Sequence, residues 1–328
     1  MSLAPGRSTA WRMLGCAALF ALAGLSGLVG CQDEHGGTAP AGGAKNPQEL
    51  RIVSLTPSLT RLCVEMGLGG RVVGVIRYDE LAEDPARDGL AIVTGQSVAG
   101  VVAARPTHVL LTDSPTLPAP PAVLRLAERE AFRLGRYPYP ESIDDVLACL
   151  RGAEEGAVGL GVFLGDAAAA ERLAAEIEAR RAALRTADSV RADRPRVLLL
   201  FGGGGSGYRA AGPGTVLDEM LGLAGGRNAL VDRSGASSVL GEGAVTAPRL
   251  TLAGIAALRP DAVVLFDPGG ALFSGFEDGR LSGLRALPIA AAEDGRMRVE
   301  TDPAALLPSL ATVELAERLS AWLHGASL

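Results

Sequence analysis

The sequence predicts an α/β protein of two related halves, each alternating strand and helix, joined by one long helix. Three observations predict it. The chain repeats itself: EMGLGGR at 65–71 returns as EMLGLAGGR at 219–227, and GVVAARPTHVLLTD at 100–113 returns as GIAALRPDAVVLFD at 254–267. Between these halves, 166–186 (DAAAAERLAAEIEARRAALRT) holds no Gly or Pro and is dense in Ala, Leu, Glu and Arg, the best helix formers. Short Val- and Leu-rich runs alternate with helical patterns, as in parallel βαβ units covered on both faces.

Residues 1–31 read as an export signal. Arg7 and Arg12 form a positive n-region, and 13–29 is almost wholly apolar but short for a membrane span. It ends in Leu28-Val29-Gly30-Cys31, which resembles the bacterial lipobox and implies lipidation of Cys31. Residues 32–49 are rich in Gly, Ala, Pro and polar side chains, too poor in apolar surface to fold, and read as a flexible tether. Loss of 1–30 removes two arginines and no acid, moving the formal charge from −6 to −8. An acidic exported chain with no basic block is a poor candidate for nucleic acid.

In the first half, 50–165, strands are expected at 51–55, 72–75 and 108–111. Helices are expected from Pro57 to about Met66, at 101–105 before Pro106, at 123–133 and at 141–151. The connector, 166–187, starts at a candidate N-cap, Asp166. It carries Leu173, Ile177 and Leu184 at helical spacing, with Glu171, Glu176, Glu178, Arg180 and Arg181 on the other faces. In the second half, 188–328, strands are expected at 196–201 and 262–266, and helices at 215–223, 251–258 and 314–324. Ligands of such sheets sit at the carboxyl ends of the strands, so two facing halves form a cleft.

The motifs support no catalysis. FGGGGSG at 201–207 satisfies G-x-G-x-x-G, but YRAAGPG follows, whose Pro and glycines prevent the helix a dinucleotide fingerprint needs. The glycines read instead as a tight turn or a close backbone approach at the cleft. The histidines, His35, His108 and His324, fall in the tether, a strand and the last helix, so neither a catalytic triad nor a histidine-built metal site assembles. His108 stands where the other half has Ala262, which reads as a core or edge histidine. Cys63 and Cys149 fall in predicted helices of one half, either paired or as buried thiols.

The order of elements resembles the periplasmic-binding-protein family of ABC importers for iron–siderophore, haem and vitamin B12. The resemblance rests on RIVSLTPSLTRLCVEMGLGGRVVGV at 51–75, Thr94-Gly95, the two Arg-Pro pairs and Ala211-Gly212-Pro213-Gly214, and covers roughly 50–325. It implies two Rossmann-like lobes with parallel sheets, one long connecting helix and a ligand cleft between the lobes. It implies a monomeric, non-enzymatic lipoprotein, without cofactor or resident metal, that delivers a metal chelate or corrinoid to a permease dimer. Carried over by position, the ligand-binding candidates are Thr56, Pro57, Ser58, Arg77, Tyr78, Gln96, Asp113, Ser114, Tyr208, Arg209 and Asp267. Arg77 and Arg209 suit anionic groups, and Tyr78 and Tyr208 suit a flat ring. The chain departs from the family at Ala253, where many members have a glutamate, and lacks an acid in 116–123. Docking on a permease would then use Glu80 or Glu242.

Overall fold

The computed structural model describes residues 49–325 except 85, 88, 95–97, 116–117, 131, 153–157, 192, 203–206, 232–246 and 268–276, with backbone alone at Glu83 and 277–280. The signal, Cys31, the tether up to residue 48, Gln96 and Glu242 lie outside the described residues. Among those described, no helix is long and apolar enough to cross a membrane.

The first half runs β1 Ile52–Ser54, α1 Pro57–Glu65, β2 Val72–Ile76, β3 Ala91–Val93, α2 Val98–Ala104, β4 His108–Thr112, α3 Pro121–Ala127, β5 Arg133–Tyr137, α4 Ile143–Arg151 and α5 Leu160–Leu164. Its five strands form one sheet in the order β3-β2-β1-β4-β5, every pairing parallel. The connector α6 Ala167–Ser189 follows, and Asp166 caps it by accepting from Ala169 N–H at 2.9 Å.

The second half runs β6 Arg196–Gly202, β7 Tyr208–Ala210, α7 Val216–Leu223, β8 Arg227–Asn228, β9 Arg249–Leu250, α8 Leu252–Leu258, β10 Ala262–Phe266, α9 Glu277–Arg285, α10 Ala290–Glu293, β11 Met297–Glu300 and α11 Leu310–His324. Its sheet is ordered β11-β10-β6-β7-β9, with β8 also on β6. Pairings among β6, β8, β10 and β11 are parallel, while β7 joins β6 and β9 antiparallel. The second sheet is therefore mixed.

The repeat read from the sequence is a repeat of structure. Central β1 and β6 carry β4 and β10 on one side and β2 and β8 on the other. Arg51 and Arg196 open the two central strands, and each guanidinium donates to the last helical carbonyl beside it, Ala104 O at 2.7 Å and Leu258 O at 3.1 Å. These bonds satisfy carbonyls that α2 and α8 leave orphaned at their ends. At the other end of the sheets, Asp113 N–H donates to Tyr137 O and Asp267 N–H to Glu300 O.

The expected helix at 123–133 is shorter, and its last residue belongs to a strand. The helix ends at Ala127, and β5 begins at Arg133 as the edge of the first sheet. An edge strand needs no continuous apolar run, and RLGRY alternates exposed arginines with buried Gly135 and Tyr137. The last helix begins earlier than the expected 314, at Leu310, behind a capping box at Ser309.

Connector α6 packs on α4 and α5 of the first half and on α7 and α11 of the second. Leu173, Ile177 and Leu184 are buried as their spacing predicts, within a core that runs continuously from one half into the other. Arg181 corrects the expectation. It lies on the buried side, and its guanidinium pairs with Asp144 of α4 and with Glu219 of α7 at 2.9 Å. A long side chain can put its stem in an apolar stripe and its charge at the rim.

Cys63 and Cys149 are free thiols buried in the first core, not a disulfide. Burial holds both well above the usual thiol range, Cys149 at about 12, so both are inert.

Candidate functional site

The carboxyl ends of the strands in both halves meet at a cavity of about 340 Å³. Tyr139, Pro140 and Glu141, just after β5, form one wall. Phe201, Ala211 and the turn from Gly214 to Leu217 form the other, with Ala247 and Leu306 closing it. The volume lies within the range of small-molecule sites, and the lining is mostly apolar, as such sites are.

The glycine run leads from one strand into another. Gly202 on β6 pairs with Tyr208 on β7, so FGGGGSG precedes a strand and no helix, which removes the dinucleotide reading. Gly202 and Gly207 both have positive φ, 72° and 80°, a backbone state that a side chain makes costly. The register then sets a row across three strands. Phe201 faces Arg209, and Arg209 faces Arg249. Directly opposed residues share a face of the sheet, so both arginines stand on the side where Phe201 lines the cavity. Tyr208 and Ala210 point the other way, into the core beneath. Both arginines are exposed, and among the described residues neither is in an ion pair. Like charges directly opposed on a sheet repel, and an anion between them would relieve that repulsion.

The sequence candidates divide by role. Thr56 and Thr112 tie β1 to β4: Thr112 N–H donates to Thr56 Oγ1 at 3.0 Å, and the two hydroxyls lie 3.2 Å apart. Pro57 opens α1, where its missing N–H costs nothing. Ser58 is buried beside it, and its hydroxyl has no partner among the described residues. Asp113 accepts from Ala119 N–H at 2.9 Å and from Arg136 Nε at 2.7 Å; together these hold its carboxyl below the usual range. Asp267 is buried at the end of β10, and Ser114 is half-buried after Asp113. Arg77 and Tyr78 follow β2 and are exposed, Tyr78 by 82%. None of these candidates lines the cavity itself; Arg209 joins it through the row with Phe201.

Sequence reasoning missed Tyr139, Phe201 and Arg249. A signal was present: all four tyrosines, Tyr78, Tyr137, Tyr139 and Tyr208, lie at the cleft-side ends of strands in a chain only 4% aromatic. His108 lies at the opposite end, opening β4. Its ring packs edge-on to Phe163, and burial followed by Arg133 lowers its pKa. Among the described residues no group of three or more His, Cys, Asp or Glu could hold a metal ion. Glu80 is half-buried and lies 3.4 Å from Arg61.

Two α/β halves, one connecting helix and an apolar cavity between strand ends define the architecture of a two-lobed small-molecule binding protein. No protein-family model matches the chain, and no curated protein sequence matches it. Solved structures do. The periplasmic haem-binding protein RhuT from Roseiflexus sp. RS-1, in apo form, is 27% identical, with a TM-score of 0.66 over 85% of this chain and 99% of that one. A periplasmic haem-binding protein from Pseudomonas aeruginosa is 27% identical, with a TM-score of 0.64 over 85% and 94% of the two chains. The periplasmic vitamin B12 binding protein BtuF of Vibrio cholerae shares the fold at 17% identity and a TM-score of 0.60, over 83% and 96%. The fold is that of the periplasmic substrate-binding proteins to which these structures belong, two α/β lobes joined by a helix.

Proposed function

We propose that this chain captures a flat metal chelate with anionic side groups, of the haem class, between its lobes and passes it to the permease of an ABC importer. The row Phe201–Arg209–Arg249 carries the reading. It offers an aromatic floor to a ring and two guanidinium groups to carboxylates, through paired charge-assisted N–H donors. The two relatives at 27% identity are haem-binding proteins, which supports haem over the iron–siderophore and cobalamin classes. Lipidation at Cys31 would hold the protein at the outer face of a membrane.

Iron in haem is held by His, Cys, Met or Tyr. His108 and His324 lie away from the cleft, and Cys63 and Cys149 are buried. Two phenols are candidate oxygen ligands for the iron: Tyr139, which lines the cavity, and Tyr78, exposed just after β2. Arg77 stands beside Tyr78 for a further anionic group.

Titration of the purified protein with ferric haem, followed by absorbance, tests this. Saturable one-to-one binding is expected, with a changed spectrum in Tyr139→Phe or in Tyr78→Phe and weaker binding in Arg209→Ala. Binding of a ferric siderophore or cobinamide with no response to haem would reassign the ligand. Glu80, engaged by Arg61, is a poor docking acid for a permease, which supports a second reading, a ligand-sensing or partner-binding module not coupled to a standard importer. Stimulation of a reconstituted importer's ATPase by the loaded protein separates the two.

A further inference from the structure

Glu65 and Glu219 occupy matching places in the repeat, each followed by methionine, and each reaches across to the other lobe. Glu65 of α1 accepts from Leu310 N–H at 3.1 Å and from Ala311 N–H at 3.3 Å, the first amides of α11. Glu219 of α7 accepts from Ile143 N–H at 2.9 Å, the first amide of α4. The two receiving helices also correspond: each follows its lobe's last strand, β5 or β11, and each begins at a serine capping box, Ser142 and Ser309. A helix leaves four N–H groups orphaned at its start and favours negative charge there. In both helices, one lobe's serine satisfies part of that demand and the opposite lobe's carboxylate satisfies another part.

Each carboxylate is held from behind by an arginine, Arg61 Nε to Glu65 at 2.8 Å and Arg181 Nη2 to Glu219 at 2.9 Å. The side chain of Glu65 is only 5% exposed. Neither bond lines the cavity, but each has an end a few residues along the chain from one of its walls. Ile143 follows the wall Tyr139–Glu141, Glu219 follows the wall that ends at Leu217, and Leu310 follows Leu306. A change in lobe separation must therefore stretch or break these bonds, and with them the distance between the cavity walls.

We infer that Glu65 and Glu219 are positioning residues for ligand capture, a matched pair of cross-lobe latches that set the width of the cleft. The inference rests on the proposed reading of the cavity as the ligand site, so its test has one arm that needs no ligand. Spin labels on p-acetylphenylalanine at the exposed positions Val102 and Ala286, one in each lobe, report lobe separation by pulsed dipolar spectroscopy. Glu65→Ala with Glu219→Ala is expected to broaden that distance distribution and to speed haem dissociation about tenfold, since such contacts act mainly on off-rate. Glu65→Gln with Glu219→Gln keeps an acceptor oxygen at both places and is expected to restore the narrow distribution. An unchanged distribution in the folded alanine pair overturns the latches, as does a glutamine pair as broad as the alanine pair. A broadened distribution in a protein that never binds haem leaves the latches standing and removes the haem reading.

Discussion

Arg105 and Arg259 share one backbone conformation, φ 47° at each, at the same step of the two halves. Each ends a helix, precedes a proline and leads into the strand that flanks its sheet's central strand. A non-glycine residue in this left-handed state carries a cost of roughly 1–2 kcal/mol. Arg105→Gly and Arg259→Gly are each expected to raise stability by about 0.5–1 kcal/mol, after the entropy that glycine adds to the unfolded chain. Urea unfolding checks this, and a loss in both variants would show that the arginine side chains contribute more than the strain removes.

Thr56 joins the two inner strands of the first lobe at the cleft end. Thr56→Val keeps the shape and leaves Thr112 N–H unsatisfied, so a loss of about 1–2 kcal/mol is expected by chemical denaturation. Ligand affinity should change less than in the Arg209 variant.

Asp79 links stability to pH. Its carboxyl is buried under the Arg77–Tyr78 turn, with Oδ1 accepting from Leu81 N–H at 3.1 Å, and burial raises its pKa from 3.8 to about 6. A carboxyl raised on folding binds its proton more tightly in the native state. Its contribution is complete below pH 3.8 and is lost as pH rises through 6. Unfolding free energy is expected to fall by about 2–3 kcal/mol from pH 4.5 to 7.5 through this group. Glu65, also raised by burial, adds in the same direction. In Asp79→Asn the fall should shrink to what Glu65 supplies, and an identical pH profile for the two proteins would refute the assignment.

Arg209 and Arg249 are opposed like charges on adjacent strands. Arg249→Ala is expected to leave stability unchanged or slightly higher, because it relieves repulsion. Its affinity for ferric haem should fall about tenfold through loss of a charge-assisted pair. Isothermal calorimetry together with a melting curve distinguishes this from a structural role, which would lower both.

Much of the architecture was legible because it is written in local pattern. The repeat, the strand–helix alternation and α6 follow from propensity, apolar spacing and Gly or Pro punctuation, each sensed within a turn or two of chain. Edge strands were harder. Arg133–Tyr137 and Met297–Glu300 lie at sheet edges, where half-exposed sequence loses the apolar run that marks a central strand.

The sequence by itself determined that there are two homologous lobes with one helix between them, and that Tyr78 and Arg209 fall at strand ends. Only the tertiary structure decided what those ends do. Helical spacing puts Arg181 among the surface charges, whereas in the fold it lies between α4 and α7, paired with Asp144 and Glu219. The pairing of Asp113 with Arg136, on the neighbouring strand, is likewise visible only in the fold. The Phe201–Arg209–Arg249 row and the reach of Glu65 to Leu310, 245 residues away, depend on register and on the docking of one lobe against the other. Such contacts leave no periodicity in the chain, because they join residues that only the folded backbone brings within a few ångströms.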